Sequence, residues 1–194
     1  MIGFFCVMMF VGLSNVITDK NQEESRNHEE SSTADSGTMT HSSREKLEAE
    51  LCEYKDFMLE DRLNWLSDTE VVEEAMNAFY AATGVQPYLL ICDNINGIGG
   101  EITDEEALNY LDSFYDSLYV DEGHMIFVFM EYAESEYVTF LYTGKLADKV
   151  MDEEAREVFL DYVDYFYTDA SLSDEEYFAK VFLQSASKIM DSDL

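Results

Sequence analysis

The chain has 194 residues, 47% of them hydrophobic and 14% aromatic, which suffices for one ordinary domain with a sizeable core plus extensions. Only 11 Lys and Arg face 42 Asp and Glu, giving a formal charge of -31. Such a surface repels phosphate backbones and anionic lipid headgroups, which disfavours a nucleic-acid partner and leaves cations, basic proteins or plain solubility as the uses of the charge. Cys6, Cys52 and Cys92 form no CxxC pair, so zinc-knuckle and thioredoxin-like chemistry is not indicated. Cys92 reads as a buried free thiol, with a Cys52–Cys92 disulfide as the alternative in an exported domain.

Residues 1–18 are mostly apolar (IGFFCVMMFVGLSNVI after the first Met), shorter than the roughly 20 residues that span a bilayer but within the range of a signal-peptide core. No Lys or Arg precedes the run. Residues 19–45 are dominated by Asn, Gln, Glu, Ser, Thr and His without hydrophobic periodicity, a composition that cannot bury enough surface to fold and reads as a linker. Residues 46–194 are then the folded domain. An apolar anchor or signal segment, a polar linker and a domain describe an extracytoplasmic protein, membrane-tethered or secreted.

Within the domain, REKLEAELCEYKDFM suggests a loosely patterned helical segment, followed by an apolar plug at Trp65 and Leu66. Ser67 with Glu70 is a capping-box pattern, and Val71, Val72, Ala75, Met76 and Phe79 continue at helical spacing, so a helix is expected over residues 67–83, ended by Gly84. Tyr88 to Cys92 is an unbroken apolar run entered through Pro87, the pattern of a strand covered on both faces. Thr103 with Glu106 caps a second helix running to about Tyr119. HMIFVFMEY (124–132) is a second buried strand, and a short turn over 133–136 leads to a third strand over 137–142. Asp152 opens a third helix, and Ser173 with Glu176 caps the last. Helix, strand, helix, strand, strand, helix, helix implies a right-handed parallel unit extended by a hairpin. The expected fold is an α/β three-layer α/β/α sandwich with a mixed central sheet.

Catalytic signatures are lacking: there is no GxSxG, P-loop, GxGxxG or HExxH. His124, the one histidine of the domain, reads as a surface or turn residue. Ligands of open α/β sheets bind at the carboxyl ends of strands, which directs attention to Asp93, Asn94 and Asn96 in the loop after the first strand. Hard cations such as Ca²⁺ or Mg²⁺ need several such oxygens; an Asx-rich turn is the equally simple alternative. The loop is no EF-hand, since DNINGIGGEITD puts Asp104 at the twelfth position. Asp148 and Asp152, after the third strand, complete the candidate metal set. The parallel strand order places Glu131 and Glu134 nearer the Asp93 loop than Asp121. Glu154, Glu157, Asp161 and Asp164 read as a solvated helix face.

FYAATGVQPYLLICDNING, YTGKLADKVMDEEA and YFYTDASLSDEEYFAKVFLQSASKIM together resemble the TPM domain family of thylakoid-lumen and bacterial cell-surface proteins, over about residues 59–190. The specific points are the Gly-Val-Gln entry to the first strand; the pattern Gly144, Val150, Asp152 and Ala155; and the closing helix with Tyr177 and Phe178. The resemblance implies an α/β/α sandwich on the outer or lumenal side of a membrane. It implies either an accessory or binding module for a membrane-associated protein complex, with a divalent cation, or an acid-phosphatase-like enzyme; in a metal-dependent phosphomonoesterase, Asp93 and Asp152 are the residues expected to hold the metal. The family often carries an arginine on the strand before the glycine; Tyr137, Val138 and Thr139 stand there.

Overall fold

The structure, a computed structural model, describes residues 44–191 and the backbone of residues 14–16. Five strands, β1 (Ser14–Val16), β2 (Leu59–Asp61), β3 (Gln86–Cys92), β4 (His124–Ala133) and β5 (Glu136–Thr143), form one sheet in the order β1-β5-β4-β3-β2. β2, β3 and β4 run parallel, β5 returns antiparallel to β4, and β1 lies parallel to β5. Three helices, α1 (Glu70–Thr83), α3 (Glu153–Tyr167) and α4 (Asp174–Met190), cover one face; α2 (Asp104–Leu118) covers the other. This is the expected α/β sandwich with a mixed sheet.

The alternation of a strand sends its side chains to both cores. On β3, Leu89 and Ile91 enter the three-helix core, whereas Tyr88, Leu90 and Cys92 face α2. Every residue of β3 is buried, which is why its sequence is continuously apolar. Phe129 of β4 gathers the larger core: the rings of Trp65, Tyr137, Tyr177 and Phe178 lie 4.9 to 5.9 Å from its own.

The chain crosses from β2 to β3 through α1 and from β3 to β4 through α2, moving the same way across the sheet both times. The two helices nevertheless lie on opposite faces. The two crossovers therefore have opposite hands, so one of them departs from the usual right-handed connection.

Residues 44–58 depart from the helical expectation. They hold a single 3-10 turn at Ala49–Leu51 and otherwise run extended along the amino end of the sheet, burying Leu47, Cys52 and Met58. Met58 O accepts from Leu89 N (2.8 Å), and the chain enters β2, a short edge strand without a sequence expectation behind it. Ser67 does not cap α1: the cap position falls to Thr69, whose side chain makes no capping bond. Ser67 instead donates from N and Oγ to Glu175 Oε1 (2.8 and 2.7 Å). The other two capping boxes form. Cys52 and Cys92 are both free thiols, in different cores and at opposite ends of the sheet, so they form no disulfide. Of the segment read as an anchor or signal, residues 14–16 form the edge strand β1, and the rest lies outside the described residues, as does the linker up to residue 43.

Candidate functional site

The carboxyl ends of the parallel strands are the first place to look. After β2 the chain passes to the three-helix face, and after β3 to the α2 face, so their carboxyl ends flank a topological switch point. Arg62 follows β2, level with Cys92, and its backbone N–H donates to Ile91 O (2.9 Å). Its Nε donates to Glu60 Oε1 (2.8 Å) and its Nη2 reaches Tyr110 Oη of α2 (3.4 Å). Glu60 Oε2 also accepts from Tyr88 Oη (3.2 Å), and the Arg62 guanidinium holds the Glu60 carboxyl below its usual range. A groove of about 460 Å³ opens beside this cluster, walled by Ile95, Ile98, Ile102 and Tyr110 with Glu106 and Asn109.

The Asp93 loop has a definite local structure. Asn96 and Gly97 both have positive φ (53° and 79°), and Ile95 and Ile98 bridge antiparallel around them. Asn-Gly in that geometry is the two-residue turn that matches strand twist. Asn94 Oδ1 accepts from Gly97 N (2.9 Å), while Asn94 Nδ2 donates to Asp93 Oδ1 (2.6 Å). One of the expected oxygen ligands, Asn94 Oδ1, thus serves the turn itself.

Asp148 and Asp152 do not join Asp93. They follow β5, whose end at Thr143 pairs with Met125 at the amino end of β4, whereas Asp93 follows Cys92 beside Met130. The length of the sheet separates them. Asp148 pairs with the buried Arg156, which also reaches Met151 O (2.8 Å). Asp152 caps α3 by accepting from Ala155 N (2.9 Å) and pairs with Arg44 (2.7 Å). The five-residue metal set read from sequence is therefore corrected: Asp93, Asn94 and Asn96 share one loop, while Asp148 and Asp152 anchor α3 at the far end.

Convergence of metal-capable groups occurs instead at the amino end of the sheet. Cys52, Asp121 and His124 each offer a ligand atom, all within 4.8 Å of one another. His124 Nε2 lies 3.2 and 3.3 Å from Asp121 Oδ1 and Oδ2, and Cys52 Sγ lies 3.8 Å from both ring nitrogens. His124 is fully buried, Cys52 is 1% exposed, and the Asp121 side chain is 23% exposed. His124 is thus no surface or turn residue, contrary to its reading from sequence.

Each member is held from outside. Gln86, opposite His124 in the parallel register, clamps the backbone of Lys55: Oε1 accepts from Lys55 N (2.9 Å) and Nε2 donates to Lys55 O (2.7 Å). Tyr80 Oη donates to Cys52 O (3.3 Å). Asp121 accepts from the backbone N–H groups of Glu53 (3.2 Å) and Gly123 (2.9 Å). Tyr115 Oη donates to Asp121 O (3.0 Å) and accepts from His124 N (3.2 Å). The Tyr119 ring stacks on the imidazole at 3.8 Å and 7°.

Burial pushes the Cys52 thiol up to about 11, against a backbone N–H of Gln86 that favours the thiolate. Burial likewise lowers His124, against the nearby Asp121 carboxylate. Both shifts favour the uncharged thiol and the uncharged imidazole. A sulfur equidistant from both ring nitrogens is in line with neither lone pair, and nucleophilic catalysis needs an aligned, accessible thiolate. The arrangement suits metal ligation better than thiol catalysis. In sequence the one local signal was Asp121 three residues before His124; Cys52, 72 residues away, gave none.

No protein-family model matches the chain, and no curated protein matches it either. Among solved structures it is similar to the solution NMR structure of the N-terminal domain of the cg2496 protein from Corynebacterium glutamicum, at 12% identity over 80% of this chain and 92% of that one, with a TM-score of 0.47.

Proposed function

We propose that this chain is an extracytoplasmic, TPM-like binding or accessory module whose ligand crevice lies at the carboxyl ends of β2 and β3. The observation that carries the reading is the switch point itself: two adjacent parallel strands send their chains to opposite faces, and a 460 Å³ groove adjoins the opening. That volume falls within the range of small-ligand sites, and the walls combine apolar side chains with a few polar groups. Arg62, paired with Glu60 and reaching Tyr110 on the groove wall, supplies a cation at the carboxyl end of β2, and Asp93 is exposed at the carboxyl end of the neighbouring β3.

Ca²⁺ or Mg²⁺ at Asp93 belongs to this proposal, as the ion that would bridge the loop to an acidic partner group. Because Asn94 is committed to its own turn, such an ion keeps several waters and binds weakly, as Mg²⁺ commonly does. A phosphomonoesterase is the second reading, favoured by one observation, the Arg62 cation at the carboxyl end of β2, next to the strand that leads into Asp93. Asp93 and Asp152 are too far apart to hold one metal between them.

The test is an amide NMR titration of the protein with Mg²⁺, Ca²⁺ and an aryl phosphate. Saturable shifts at Arg62, Asp93 and Tyr110 are expected, and phosphate release is not. Shifts scattered over the acidic surface with none at these residues would remove the crevice; turnover abolished by Asp93→Asn would instead establish the enzyme.

A further inference from the structure

The cluster at the opposite end of the sheet has no part in the crevice, and its donor set belongs to different chemistry. One thiol, one imidazole and one carboxylate are poor company for Ca²⁺ or Mg²⁺, which take oxygen ligands, and suit zinc or a similar borderline ion. The spacing agrees. Zinc bonds of about 2.0–2.1 Å to N and O and about 2.3 Å to S at tetrahedral angles require N···O near 3.3 Å and N···S near 3.6 Å. The protein has 3.2 and 3.3 Å for the first edge and 3.8 Å for the second. The first edge is also long for a charge-assisted N–H···O bond, which settles at about 2.7–2.9 Å.

We propose that Cys52, His124 and Asp121 form a zinc-class metal site that ties the extended segment around Cys52 to the turn between α2 and β4. Cys52 Sγ, His124 Nε2 and one Asp121 oxygen are three donors; water entering past the exposed side of Asp121 is the fourth. On binding, the Cys52 proton leaves to solvent and the imidazole keeps its remaining proton on Nδ1, so the ion meets a thiolate, a neutral ring and a carboxylate. Binding requires the sulfur to leave its present position, equidistant from both nitrogens, and approach Nε2. The surrounding bonds do what second-shell groups do at metal sites: Gln86 fixes the Cys52 segment, and Tyr115 and Gly123 fix the turn that carries Asp121. Cys52 and His124 are closed to solvent, so the ion meets water only on the Asp121 side and otherwise joins two segments of chain.

The full-length protein, stripped with a chelator, is titrated with Co²⁺ and then Zn²⁺. Co²⁺ should produce thiolate-to-cobalt charge transfer in the near ultraviolet and tetrahedral bands in the visible, saturating at one equivalent and disappearing as Zn²⁺ displaces it. Zn²⁺ should raise the melting temperature where equal Ca²⁺ does not. Cys52→Ala removes the charge transfer, Cys92→Ala keeps it, and Asp121→Asn weakens Co²⁺ at least about tenfold. Wild type without charge transfer, or Cys52→Ala that retains it, overturns the site. Where Cys52→Ala does not fold, X-ray absorption of the zinc-loaded wild type decides: one sulfur with N/O neighbours is expected, and an oxygen-only shell overturns the proposal. The acidic surface binds divalent ions through oxygens alone, so the sulfur signature separates the two. Loss of the crevice at the other end would leave these results unchanged.

Discussion

Gly123 shows how narrowly the buried cluster is fitted. A Cβ there would run into the Leu51 carbonyl oxygen and the Cys52 side chain, so the turn that carries Asp121 and His124 can meet the Cys52 segment only through glycine. Gly123→Ala must displace one strand of chain from the other, and overpacking of this kind costs about 1–3 kcal/mol. Urea denaturation should show that loss, and an unchanged midpoint would mean that the contact yields freely. At this scale the sequence was a partial guide. Composition drew attention to Asp93, Asn94 and Asn96 because oxygens cluster there, yet the Asn-Gly pair also spelled a tight turn, and the turn uses one of those oxygens. His124 looked isolated because its partner Cys52 comes from 72 residues away and is delivered by the fold alone.

Helix ends were legible wherever the cap is a local event. Thr103 with Glu106 and Ser173 with Glu176 form reciprocal boxes, since each motif needs only its own turn. Ser67 with Glu70 carries the same signature and fails, because a tertiary competitor, Glu175 in the first turn of α4, takes both of its donors. Those bonds from Ser67 hold the Glu175 carboxyl down at about 2, below its ordinary 4.5. A carboxylate whose folded pKa is depressed contributes stability that is complete above about pH 4.5 and lost as the pH falls toward 2. The residue is only half-buried, so the contribution is small and salt-sensitive. Melting temperatures of wild type and Glu175→Gln should differ by a constant amount above pH 4.5 and converge below it; a difference that persists to pH 2 would show that the Ser67 bonds do not depend on ionisation. β2 escaped notice for a related reason: at three residues it carries no periodicity, and its pairing with β3 is its only mark.

At the scale of the whole molecule, apolar runs and helical spacings were enough to predict layers, because burial on two faces imposes different patterns on strands and helices. They could not predict which face each helix covers, and that choice created the switch point between β2 and β3. The remaining global property is charge. With 42 acids against 11 bases, folding gathers like charges that the unfolded chain keeps further apart, and the compact state is opposed by its own repulsion. Most ion pairs of the described residues have a solvent-facing member, as in Arg44 with Asp152 and Glu154, Lys55 with Glu53 and Arg62 with Glu60, while Arg156 with Asp148 involves a buried arginine. Screening should therefore relieve more repulsion than it removes attraction. Raising NaCl from about 0.01 M, where the Debye length is about 30 Å, to about 1 M, where it is about 3 Å, should increase the melting temperature monotonically. A fall would mean that specific ion pairs outweigh the field of the whole surface. Because NaCl offers no ligand-binding ion, this gain should be the same in Cys52→Ala and wild type, whereas stabilisation by zinc should distinguish them.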